Sequence, residues 1–187
     1  MDRIFGEVYL FRLYRLRDIV RIDPSKINRA IEEVAFDELR KKYEGLKDKN
    51  LGIVIAITDV NVDPMGYIPI GDGAPYHRVE FTVVAYVPLV SEVVEGEVAT
   101  VGRGGITVSL GPIEGFIHIQ QIADDEVSYD VARNIIVCKN TKRFVMQGDV
   151  VRARVTSVSL GAVGRPPRVT MTMRQPYLGK LEWISKK

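Results

Sequence analysis

Apolar and charged residues alternate along residues 7–17 (EVYLFRLYRLR), the pattern of a strand buried on one face only. Asp23-Pro24 then supplies an N-cap and a proline suited to the first helical position. Ile27, Ile31, Val34, Ala35, Leu39 and Tyr43 recur at helical spacing up to Gly45, which predicts one amphipathic helix with a break near Asn28. Residues 51–60 (LGIVIAITDV) read as a central strand, Asp63-Pro64-Met65-Gly66 as a turn, residues 67–70 as a short strand, and residues 76–88 as a long strand ending at Pro88. A strand, a helix and three more strands make an α+β unit, a helix packed on an antiparallel sheet.

From Val93 to Met173 the pattern changes. Three alternating segments separated by Gly-rich turns begin with VVEGEV and run through GGITVSLGPIEGFIHI. After a predicted helical insert, two further strands joined by a Gly/Pro turn lie in QGDVVRARVTSVSLGAVGRPPRVTMTM. Five such strands suit an all-β OB-fold barrel, an architecture that binds single-stranded nucleic acid on one sheet face. Asp124, Asp125 and Glu126 read as the N-terminus of the insert's helix rather than as a metal site. The domain organisation expected is an extension over 1–6, a domain over 7–92 and a barrel with its tail over 93–187.

Charge sharpens this picture. The whole chain carries +2, yet residues 139–187 hold 11 basic against 2 acidic side chains, whereas residues 94–138 hold 2 against 7. A basic segment of this kind suggests a polyanion, or the acids of a partner protein. The lone Cys138 cannot form an internal disulfide, and no apolar run or leader-like segment suits a membrane or secretion, so a cytoplasmic protein without membrane contact is expected. No phosphate-binding loop, zinc spacing or nucleophile–base pair can be built around Cys138, His77 or His118, so no catalytic residue, metal or cofactor is predicted.

The barrel segment resembles the S1 RNA-binding domain family through GEV at 96–98, GFIHI at 115–119, GDVVRARV at 148–155 and VTMTMR at 169–174. The resemblance places the family's sheet-face histidine at His118 and a basic residue at Arg168, while an acidic position falls on Ser159. It also places the family's two aromatics on Gly104 and Thr107, so both stacking rings are missing. Each lost ring removes about 1–3 kcal/mol of base stacking. Backbone electrostatics would then carry more of the binding, with Lys139, Lys142, Arg143, Arg152 and Arg154 as further RNA-contact candidates. His118 is equally suited to a structural hydrogen bond, and Arg152 or Arg154 to a partner's acids.

Almost the whole chain also resembles the larger stalk subunits of archaeal RNA polymerases. The resemblance runs from YRLRDIVRIDPSK through GDGAPYHRVEF to the terminal TMRQPYLGKLEWI. It implies a non-catalytic subunit whose N-terminal tip domain docks on the polymerase core near the clamp. It further implies a one-to-one heterodimer with the smaller stalk polypeptide, termed F, and a barrel that meets emerging single-stranded transcript. Asp23, Pro24, Asp63, Pro64, Met65 and Gly66 are then candidates for the docking tip. Tyr177, Leu181 and Trp183 either pack back on the barrel or bury against the smaller stalk polypeptide. The alternative is a free-standing S1-domain factor of the translation or exosome type; a ribonuclease would need convergent carboxylates that the sequence does not offer.

Overall fold

The structure is a computed structural model that describes residues 10–161 and 166–184. The expected extension over 1–6 lies outside the described residues, as do the first residues of the predicted opening strand. The chain forms two compact units, Met1–Val87 and Pro88–Lys187.

In the first unit, β1 (Phe11–Arg21), β2 (Lys47–Asp48), β3 (Gly52–Val62) and β4 (Tyr76–Tyr86) form an antiparallel sheet in the order β1-β4-β3-β2. The alternation of β1 turns Tyr14 and Val20 toward helix α1 (Ile31–Tyr43), whose Val34, Ala35 and Leu39 are fully buried against the sheet. Two register shifts in β3 explain its nearly continuous apolar run, for they keep Val54, Ile57 and Val62 in the core. The helical segment is broken around Asn28, as expected: Asp23 caps a short 3-10 piece, Pro24–Lys26, by accepting from the Ser25 amide at 2.9 Å, and the long piece α1 starts after Ala30. Residues 67–70 form no strand; Tyr67 makes one isolated bridge to Tyr76, leaving Ile68 and Ile70 exposed.

The second unit is a barrel of β5 (Val93–Gly102), β6 (Gly105–Ser109), β7 (Glu114–His118), β11 (Val150–Ser159) and β12 (Arg168–Thr172). It closes because β12 pairs antiparallel to β11 on one edge and parallel to β7 on the other. Val98, Ile106, Val108, Ile117, Val151, Ala153, Val155, Val169 and Met171 fill its interior. Gly105 has φ +143°, and a Cβ there would stand 2.0 Å from the Ile117 carbonyl oxygen, so the β6–β7 approach depends on a bare backbone.

The predicted helical insert is not a helix. A 3-10 turn, Ile119–Gln121, leads into a small sheet of β8 (Val127–Asp130), β9 (Ile135–Cys138) and β10 (Phe144–Val145) in the order β10-β9-β8. β-Branched Ile135, Ile136 and Val137 favour the strand. Asp125 therefore serves as a turn staple: its carboxylate accepts from the amides of Asn140 at 3.1 Å and Thr141 at 2.9 Å, joining the entry to β8 with the exit from β9.

The tail is part of this unit. β13 (Gly179–Lys180) adds to β11, and α2 (Leu181–Ile184) follows. Lys180 is 5% exposed, with its ammonium 2.8 Å from Asp149, 3.0 Å from Glu182 and 5.1 Å from the centre of the Phe144 ring. Burial works against its charge, but the hydrogen bonds to Asp149 and Glu182 outweigh that and raise its pKa. Lys180→Ala, which leaves Asp149 without its cation, should cost about 3–5 kcal/mol in a denaturant titration, and Lys180→Met combined with Asp149→Asn should recover part of it. A loss under about 1 kcal/mol would reduce the pair to an ordinary surface contact.

Candidate nucleic-acid interface

Strand β7 turns Gly115 and Ile117 inward and Glu114, Phe116 and His118 outward. Pairing fixes a row of outward residues across five strands: Thr100 opposite Thr107, Thr107 opposite Phe116, Phe116 beside Thr170, and Thr170 opposite Ser157. The hydroxyls of Thr156 and Ser157 lie 2.9 and 2.8 Å from that of Thr170. This face is therefore uncharged at its centre and carries one ring, Phe116, which is 40% exposed. His118 stands two residues along the same strand, and its Nδ1 accepts from the Gln120 amide at 3.3 Å, so one ring nitrogen serves a structural bond.

Of the remaining RNA-contact candidates, Arg168 shares that face with Thr170, and the others are not gathered on it. Arg168 opens β12 opposite Ser159, so the residue standing at the family's acidic position is its cross-strand neighbour and offers it no carboxylate. Arg152 is ion-paired to Glu95 at 2.7 Å, and Arg154 donates to the Ser91 carbonyl at 3.2 Å. Lys139 pairs with Glu126. Arg143 lies 5.6 Å from the centre of the Trp183 ring. Lys142, at φ 55°, is exposed and has no ion pair among the described residues.

Trp183 and Leu181 are half-buried, whereas Tyr177 is 78% exposed. Trp183, Tyr177, Arg143 and Arg174 border a groove of about 390 Å³ beside the 3-10 turn that follows β7. Among the described residues no cluster of His, Cys, Asp or Glu is placed to hold a metal ion. No helix there is long and apolar enough to cross a membrane.

In the first unit, the Asp23-Pro24 and Asp63–Gly66 turns lie at one end of the sheet. Ile22 donates to Pro75 and Asp63 to Arg78, each at 2.9 Å, so both turns emerge beside the start of β4. Asp63 accepts from the Met65 amide, also at 2.9 Å, and Met65 projects with 82% of its surface exposed. Gly66 lies against the His77 ring, where a Cβ would fall 2.5 Å from it. The intervening loop is braced by Arg21, which grips Asp72 through two hydrogen bonds, of 2.8 and 2.9 Å. Arg21, then the Tyr76 hydroxyl, holds the Asp72 carboxyl far below the usual carboxylate range. Ile68 and Ile70 join Met65 in an exposed apolar group that sequence reasoning missed; its signal was YIPI, an apolar run set between two glycine turns.

An SHS2-like helix-on-sheet unit followed by an S1-type barrel defines the class. Residues 17–73 match the SHS2 domain found in N terminus of Rpb7p/Rpc25p/MJ0397, and residues 88–143 match the S1 RNA binding domain. The chain is 49% identical over 177 residues to DNA-directed RNA polymerase subunit Rpo7 of Saccharolobus solfataricus, covering 95% of this chain and 98% of that one. It is 42% identical over 177 residues to Rpo7 of Sulfolobus acidocaldarius, covering 95% and 96%. Against DNA-directed RNA polymerase III subunit rpc8 of Dictyostelium discoideum it is 34% identical over 102 residues, covering 54% and 40%. The chain belongs to the Rpo7 family of DNA-directed RNA polymerase subunits. Because the similarity spans both units, the alternative of a free-standing S1 factor is set aside.

The loop that carries Lys139, Lys142 and Arg143 is held by Asp125, whose carboxyl is lowered to about 2, chiefly by the Thr141 amide. A lowered pKa stabilises the folded form above the unfolded value near 4, and the contribution is lost as pH falls through the folded value. The amide resonances of Asn140 and Thr141 should therefore titrate with a midpoint of about 2. A midpoint near 4, that of a free aspartate, would contradict the staple.

Proposed function

We propose that this chain is the larger, non-catalytic subunit of an RNA polymerase stalk in an archaeal cytoplasm. It pairs one-to-one with the smaller stalk polypeptide F, docks by its tip near the clamp, supports open-complex formation and meets emerging single-stranded transcript with its barrel. The observation that carries this reading is the 49% identity to an Rpo7 subunit across 95% of the chain. Two physical features agree with it. Met65, Ile68 and Ile70 leave apolar surface exposed on a braced loop, the character of a protein-docking site rather than of a solvated turn. Tyr177 leaves a large exposed ring beside the tail groove, suited to burial against the smaller stalk polypeptide together with the half-buried Leu181 and Trp183.

Light scattering after size exclusion, on the chain alone and co-expressed with the smaller stalk polypeptide, tests the assembly. A stable one-to-one complex is expected, and Met65→Glu with Ile70→Glu should abolish core binding while leaving that complex intact. A chain that ignores the smaller polypeptide, or a double variant that still binds core, would overturn the corresponding contact. RNA contacts by charge are separable from structural ion pairs by salt dependence. Lys142→Ala should flatten the slope of log K against log salt by about 0.7, whereas Arg152→Ala, already paired to Glu95, should leave it nearly unchanged. Equal effects of the two would place Arg152 on the RNA path.

A further inference from the structure

We propose that Phe116 is the base-stacking ring of the barrel's nucleic-acid face, standing in for the two ring positions that this chain fills with Gly104 and Thr107. The inference rests on the RNA-binding reading given above and deepens it. Thr107 is the direct cross-strand neighbour of Phe116. A Cβ built on Gly104 would have the Phe116 Cζ as its nearest contact, at 3.8 Å. The Phe116 ring thus comes from the adjacent strand to lie beside the vacated positions.

Nothing in the fold requires a ring there. Phe116 faces outward between the inward Gly115 and Ile117. Its cross-strand neighbours are the hydroxyl residues Thr107 and Thr170. Neither the aromatic pairs nor the cation–ring contacts found among the described residues involve it. An exposed ring in an uncharged, hydroxyl-lined row suits the face of an unpaired base, which stacks with little regard to its identity. His118, two residues on, repeats along the strand at about 7 Å, a distance a single strand spans with its next nucleotide. Arg168, two residues before Thr170, lies on the other side of the ring, where the parallel register of β12 on β7 sets it beside the outward Glu114. One ring with a histidine and an arginine along the same two strands is a compact site for a short stretch of single strand.

A competing account is that the ring only covers the bare Gly104–Gly105 backbone. The test is fluorescence anisotropy of labelled single-stranded oligoadenylate titrated with the full chain. Phe116→Ala should weaken binding by about five- to 150-fold with an unchanged salt slope, because no charge is removed. Phe116→Leu, which keeps apolar cover but lacks the ring, should bind about as weakly as the alanine variant. Gly104 lies outside the left-handed region and has room for a side chain, so Gly104→Phe added to Phe116→Ala should recover most of the affinity. If the parent binds RNA and Phe116→Ala or Phe116→Leu binds equally well, the inference falls and the RNA reading stands. Failure of Gly104→Phe to recover any affinity overturns the substitution of one position for the other. A parent chain that binds no RNA at all sinks the RNA reading and this inference with it.

Discussion

Closure of the barrel by β12 is the constraint on which the second unit depends. A five-residue strand bonds on both edges, antiparallel to β11 and parallel to β7. The parallel pairing needs a long connection between β7 and β12, which the β8–β9–β10 sheet and β11 supply. Once β12 is fixed, the register of every outward residue follows, because a slip of one residue would turn Val169 and Met171 outward and Thr170 inward. The row from Thr100 to Ser157 is therefore a consequence of core packing, and the position of Phe116 within it is set by Gly115 and Ile117 on either side.

The same unit resolves its own charge. In sequence, the acidic stretch 94–138 and the basic stretch 139–187 suggest a pole awaiting a polyanion. Folding sets them against each other: Glu95 meets Arg152, Asp124 meets Arg174, and Glu126 meets Lys139. Lys180 is answered by Asp149 within the basic stretch itself. Among the described residues, the basic side chains of this stretch outside those ion pairs are a smaller set that includes Lys142 and Arg168. A local excess of charge along a chain thus measures what must be neutralised, and only the pairing shows how much of it faces a partner.

Periodicity made most strands and the amphipathic helix legible, because a half-buried face leaves a period of two or of 3.6 in the sequence. Asp23-Pro24 was legible too, since its carboxylate caps the short 3-10 piece that precedes α1. Periodicity failed where the deciding contact is distant in sequence. The Asp124–Glu126 triplet suggested a helix N-terminus, while its central carboxylate serves amides 15 and 16 residues away. Contacts at that separation leave no local signature. The family's aromatic positions were readable as lost, but the ring beside them was not, since Thr107 and Phe116 become neighbours only through the β6–β7 register.

Under the stalk reading, a face with one ring and few unpaired cations among its described residues would bind a single strand weakly, and weak binding would suit the assembly. A transcript leaving the polymerase is tethered to the complex that carries this barrel, so its effective concentration is in the millimolar range for a short flexible connection. At that concentration one stack and one or two phosphate contacts keep the site substantially occupied. They also let go of each nucleotide as the next arrives. A second and third ring would add about 1–3 kcal/mol each and slow that release by the corresponding factor. Leaving positions 104 and 107 without rings, and keeping Phe116, is therefore consistent with a surface that follows a moving strand rather than one that holds it.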